Sequence, residues 1–122
     1  MLPFAPNLEM KTEAHTLMTE AMKLAGETWP QFQKEMGWNT QDINHFFGHQ
    51  VGREPREALI KALKLPSDKD YSTFQKYGNM GSCSLPITFI EGIDQRKPKP
   101  KDKIALLGFG SGINCLMAGL EW

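Results

Sequence analysis

The chain has 122 residues, 40% of them hydrophobic and 23% charged, an ordinary globular composition with apolar side chains enough for one modest core. Fourteen basic side chains balance fourteen acidic ones, so no net field attracts nucleic acid or an anionic membrane, and neither is expected as a partner. No stretch approaches the ~20 apolar residues of a membrane span, and residues 1–6 lack the basic region and apolar run of a signal peptide; a soluble, cytoplasmic protein is expected.

Residues 1–6 hold two prolines and no periodicity, a lead-in after which Asn7 can cap a helix. Over 8–24, apolar residues and His15 recur at three- and four-residue steps among Ala, Glu, Lys, Leu and Met, all strong helix formers. Gly26 loosens that helix, and Thr28-Trp29-Pro30 offers the cap and first-turn proline of a second one through about Met36, stopped by Gly37. Met18, Met22, Trp29 and Phe32 read as core. Thr40-Gln41-Asp42 starts a single turn before Phe46-Phe47-Gly48-His49-Gln50-Val51-Gly52. Two Phe in a short run bounded by Gly predict a buried strand over 45–49, with His49 at its carboxyl end, where open α/β sheets bind ligands.

Residues 53–63 form an amphipathic helix with Pro55 in its first turn, its amino end beside His49. Pro66-Ser67-Asp68 breaks it, and a short strand near 71–74 leads to the Gly-rich Tyr77-Gly78-Asn79-Met80-Gly81-Ser82. Ser82 opens a helix through about Asp94, with Pro86 in its first turn and Leu85, Ile87, Phe89, Ile90 and Ile93 making it largely buried. Lys97-Pro98-Lys99-Pro100-Lys101-Asp102 reads as a solvated turn rather than a basic docking site. The apolar runs 104–109 and 113–120, split by Gly110-Ser111-Gly112, predict adjacent antiparallel strands. The fold class is therefore α/β, a mixed sheet with helices packed on it.

An imidazole N–H from His49 and a carboxamide N–H from Asn79 aimed at one point would pair as donors to a carbonyl oxygen on which negative charge develops. Neither is a strong nucleophile, and a satisfied turn histidine with a left-handed turn asparagine reads the same way. His45 and His49 have the spacing of a helical zinc pair, yet Gly48 and the Phe pair argue for strand and no third ligand is evident; no metal is expected. Gly108, Gly110 and Gly112 alternate like a nucleotide loop, but a strand follows where the dinucleotide fingerprint needs a helix, and no cofactor is expected. Cys83 and Cys115 lack CxxC spacing and read as buried free thiols that serve packing.

Three motifs carry a resemblance: His49-Gln50-Val51-Gly52, Tyr77-Gly78-Asn79-Met80-Gly81-Ser82-Cys83-Ser84 and Phe109-Gly110-Ser111-Gly112. Residues 38–122 resemble the carboxyl-terminal half of the ketoacyl synthase III group of the thiolase-like superfamily, whose HQAN, YGNTSAAS and FGGG motifs these match in order and spacing. The end of the chain, the HQVG form and the Gly-Asn-Met-Gly turn look more like the OleA branch, which joins two fatty acyl chains head to head in olefin biosynthesis. The resemblance implies a carboxyl-terminal thiolase-like domain over 1–122, with a helical lead-in at 1–37 and the motif-bearing part at 38–122.

It also implies a Claisen condensation of two acyl thioesters, with His49 and Asn79 as the His and Asn of a Cys-His-Asn triad and Gly110, Ser111 and Gly112 as the loop that supplies a backbone oxyanion donor. The nucleophilic cysteine belongs to the family's amino-terminal half, so none is expected here, and Cys83 occupies the small-residue position after Asn79. The chain is thus expected to be a fragment, inactive alone, that needs the missing amino-terminal half as partner. Gly52 departs from the asparagine of HQAN, and Arg53 is one place off the family's carrier-protein arginine. An acyl-CoA substrate is accordingly favoured over acyl-ACP. The alternative is a non-catalytic half-domain that serves as a subunit or dimerisation partner. A half that leaves a shared core bare should self-associate as a homo-oligomer, through the terminal strand pair or the helix over 8–24.

Overall fold

The computed structural model describes residues 14–49 and 52–122. The expected cap at Asn7 and the helical turns over 8–13 lie outside the described residues, as do Gln50 and Val51.

The first helix, α1 (Ala14–Met36), is continuous. The break expected at Gly26 and Thr28-Trp29-Pro30 does not occur. Ala25, Trp29 and Phe32 fall at four- and three-residue steps and are all buried, which requires one unbroken helical face. Burying a large apolar side chain contributes about 1.5–3 kcal/mol, so Trp29 and Phe32 together offset the ~3 kcal/mol an interior proline costs.

After a 3₁₀ turn at Thr40–Asp42 come β1 (His45–Gly48), α2 (Arg53–Leu63), β2 (Asp70–Tyr71), α3 (Phe74–Tyr77), α4 (Ser84–Arg96), β3 (Lys103–Gly110) and β4 (Asn114–Glu121). The sheet order is β2-β1-β3-β4, with β1 parallel to both its neighbours and β3 antiparallel to β4. The mixed α/β class and the antiparallel terminal pair agree with expectation. No described helix is long and apolar enough to cross a membrane.

Strand β1 organises the layers because its two phenylalanines are fully buried on opposite faces. Phe46 points into the core formed with α1 and α2, meeting Trp29 edge-on at 6.2 Å between ring centroids, beside Leu59, Leu63, Ala105 and Leu107. Phe47 meets Phe89 of α4 edge-on at 5.4 Å.

Three further expectations are corrected. The strand placed over 71–74 stops at Tyr71, because buried Thr73 turns toward α4, where its hydroxyl lies 2.6 Å from that of Thr88, and Phe74 begins a helical turn. The fourth helix begins at Ser84, after a 3₁₀ turn at Gly81–Cys83, and is not largely buried. Its buried residues are Ser84, Thr88 and Gly92, while Ile90 is 68% exposed. The reason is close approach: a Cβ on Gly92 would lie 2.1 Å from the Phe47 ring, so α4 turns its small residues to the sheet and Ile87 and Ile90 away. Lastly, Cys83 is exposed rather than buried, since it lies on the turn ahead of α4; Cys115 is partly buried.

Candidate functional site

His49 follows β1 directly, and its backbone N–H donates to the Leu107 carbonyl at 2.8 Å, which extends the β1–β3 ladder by one residue. That bond fixes the imidazole at the carboxyl end of the parallel strands. Partial burial pulls the His49 pKa below its ordinary 6.5, because the charged form loses hydration, so the ring is neutral near pH 7.

Asn79 sits between two glycines held at positive φ, Gly78 at 66° and Gly81 at 60°. Its side-chain oxygen accepts the Gly81 N–H at 2.9 Å, and the next residue's N–H donates to Ser84 Oγ at 2.9 Å. With the oxygen taken up locally, the NH₂ is the donor face of the carboxamide. At the end of β3, Gly110-Ser111-Gly112 makes the turn into β4, and Asn114 Nδ2 donates to the Ser111 carbonyl at 3.2 Å.

His49, Asn79, Gly110, Ser111 and Gly112 all line one cavity of about 770 Å³. The structure therefore brings together every site residue singled out in the sequence. One wall is apolar, made by Leu17, Met18, Ala21 and Met22 of α1 with Phe109 and Ile113, while His15 and Glu54 add polar groups. Met18 and Met22 read as core from their spacing, yet they border this cavity, and Met22 packs on the core as well. Helical periodicity reports a shared face but not whether that face meets side chains or a cavity.

Sequence reasoning also missed the partner of His45. Its Nε2 lies 3.0 Å from Asp102 Oδ2, tying the amino end of β1 to the turn before β3. At ~3.3 Å per strand residue, His45 and His49 stand about 13 Å apart, too far to share a metal ion.

The shifted imidazole gives a pH prediction. Between the folded pKa of His49 and 6.5 the unfolded chain binds the extra proton, so stability rises with pH in that window and is lost as pH falls through it. The expected result is an NMR titration midpoint for His49 below 6.5, and an unfolding midpoint that drops as pH is lowered from 7.5 to 5.5 by less in His49→Gln than in the native chain.

Residues 33–122 match the family described as 3-oxoacyl-[acyl-carrier-protein (ACP)] synthase III C terminal. An acyl-CoA:acyl-CoA alkyltransferase of Shewanella oneidensis is 40% identical over 113 residues, 93% of this chain and 32% of the relative. A beta-ketoacyl-[acyl-carrier-protein] synthase III of Natranaerobius thermophilus is 28% identical over 113 residues, 93% of this chain and 34% of its own length. Among solved structures, the cerulenin-bound OleA of Xanthomonas campestris superposes with a TM-score of 0.86 at 35% identity, covering 91% of this chain and 32% of that one. The chain thus spans about a third of the length of the curated relatives it matches. These likenesses bear out the motif-based resemblance, including its OleA side, and with the α/β fold they establish that the chain belongs to the 3-oxoacyl-[acyl-carrier-protein] synthase III C-terminal family.

Proposed function

We propose that the chain is the carboxyl-terminal part of an acyl-thioester condensing enzyme, which joins two acyl groups by a Claisen condensation in fatty acid or long-chain olefin or ketone biosynthesis. The observation that carries this reading is the cavity: His49, Asn79 and the Gly110-Ser111-Gly112 turn border one space with an apolar wall. A thioester enolate concentrates charge on its oxygen while its α-carbon is the nucleophile. The His49 N–H and the Asn79 NH₂ donate to that oxygen. The α-carbon attacks an acyl group carried on a cysteine of the amino-terminal half, expels the thiolate and leaves a β-keto product.

The Ser111 backbone N–H serves the acyl-cysteine carbonyl, and the serine side chain leaves that donor in place. Neither cysteine of this chain is the nucleophile: Cys83 does not line the cavity, and burial pushes the Cys115 thiol up, away from the reactive thiolate. The chain by itself is therefore inactive. Its substrate is acyl-CoA rather than a carrier-bound acyl group, in keeping with the names of the Shewanella and Xanthomonas relatives and with the offset of Arg53. A soluble thioester substrate of this kind implies a cytoplasmic site of action.

The test combines the chain with a separately expressed amino-terminal polypeptide of the family and follows coenzyme A release from acyl-CoA. Release by the mixture and none by the chain alone supports the reading; an acyl adduct on Cys83 or Cys115 of the chain alone sinks it.

A second reading, a half-domain that acts by association, is favoured by the exposure of Ile87, Ile90 and Leu116, the last at 75%. Ile87 and Ile90 stand three residues apart on α4 and so share one helix face, and an exposed apolar face of this kind marks an interaction surface. In sedimentation experiments the chain alone is expected to self-associate, and Ile90→Lys to shift it toward monomer; a monodisperse native monomer at high concentration rules the association out.

A further inference from the structure

The turn that carries Asn79 is held locally by the Gly81 N–H on Asn79 Oδ1 and by the Met80 N–H on Ser84 Oγ. It joins the single turn of α3 to α4, contains two positive-φ glycines, and pairs with no strand. Its placement depends on what fastens α3 to α4. Beside the Thr73–Thr88 hydroxyl contact and the Met80 N–H bond to Ser84 Oγ, three side chains of that fastening converge on one carboxylate on the third turn of α4. Glu91 Oε1 accepts from Lys76 Nζ at 3.0 Å and from Tyr77 Oη at 2.9 Å, and Oε2 accepts from Tyr71 Oη at 3.0 Å. Tyr77 stands two residues before Asn79.

We propose that Glu91 is a positioning residue for Asn79, gathering the hydroxyls of Tyr71 and Tyr77 and the ammonium of Lys76 so that the Gly78–Gly81 turn is held against α4 with its carboxamide toward the cavity. The inference rests on the reading of Asn79 as an oxyanion donor. An exposed ion pair alone fixes little. Three donors on one carboxylate, from three positions along the approach to the turn, restrain it in more than one direction and act as a network. The network is intact at neutral pH, since the Lys76 hydrogen bond, then that of Tyr77, holds the Glu91 carboxyl below the usual carboxylate range against the opposing effect of burial. Tyr77, although 49% exposed, has its hydroxyl committed to Glu91 rather than left to solvent alone.

The test is NMR of the full chain, reading the Asn79 side-chain NH₂ signals and backbone amide exchange in Glu91→Ala, Glu91→Gln and Tyr77→Phe, with Asp94→Ala, an exposed change on the same helix, as control. In Glu91→Ala the Asn79 NH₂ signals are expected to move and its amide to exchange faster by on the order of tenfold. Glu91→Gln, which keeps one acceptor oxygen, should restore part of the native pattern, and Asp94→Ala should leave it unchanged. If Glu91→Ala does not fold, Tyr77→Phe carries the test, because it removes a single hydroxyl at the surface. Native Asn79 signals in folded Glu91→Ala or in Tyr77→Phe overturn the inference. That result leaves the donor reading standing, whereas full condensation by Asn79→Ala sinks the donor reading whatever Glu91 does to the turn.

Discussion

Replacing His49 or Asn79 by alanine is expected to lower condensation by the reconstituted enzyme about 10²- to 10³-fold, the effect of removing one oxyanion donor, or roughly 2.7–4 kcal/mol of barrier. The loss should fall mainly on kcat, because the enolate oxygen carries its full charge only after the thioester has been bound. Each variant should fold normally: Asn79 is exposed on its turn, and the strand-extending bond at His49 is made by its backbone N–H, which alanine retains. The double variant should lose less than the product of the two single losses, since both donors act on one oxygen. Coenzyme A release measured at saturating acyl-CoA decides the matter. A fall in kcat smaller than threefold in both single variants would remove these residues from the chemistry and leave the cavity without a catalytic function.

Phe46→Ala is expected to be the most destabilising single change in the chain, at about 3–5 kcal/mol. Small domains are stable by only ~5–15 kcal/mol, so this change removes a large share of the total. Phe46 is fully buried on a strand with a neighbour on each side, and its ring edge meets Trp29, a contact that adds ~0.5–1.5 kcal/mol beyond area burial. The loop that follows β1 begins at His49, so a cavity at Phe46 should also loosen the site. Ile90→Ala offers the contrast: at 68% exposure it should change monomer stability by no more than about 0.5 kcal/mol. Urea unfolding at one fixed protein concentration measures both, since self-association otherwise shifts the midpoint. A cost below 1 kcal/mol for Phe46→Ala would contradict the central place of β1.

Much of this was legible in local sequence. The runs around Phe46, Ile104 and Leu116 are apolar and short, and glycines punctuate their ends, which is why their strands fall within a residue or two of expectation. The glycines also marked the turn that carries Asn79, because a turn that takes positive φ beside a polar residue leaves Gly-Asn-Met-Gly in the sequence. Three elements were not legible, each because a distant partner outweighed a local preference. Gly26 and Pro30 both favour a break, but the buried stripe of Ala25, Trp29 and Phe32 keeps α1 whole. Thr73 suits a strand, but the hydroxyl of Thr88 draws it aside. The isoleucines of α4 suit burial, but the helix approaches the sheet most closely at Gly92, against the Phe47 ring, which leaves Ile87 and Ile90 facing away.

The sequence by itself thus determined the α/β class and three of the four strands, because periodicity and turn chemistry are properties of neighbours along the chain, while the resemblance carried by its motifs supplied the candidate site residues. Only the tertiary structure decided that His49, Asn79 and the Ser111 turn border one cavity, that α1 supplies its apolar wall, and that Glu91 gathers Tyr71, Lys76 and Tyr77 ahead of the Asn79 turn. Those relations join residues a dozen or more positions apart, and the parallel pairing of β1 with β3 and the packing of α1 and α4 on opposite faces of the sheet bring them together.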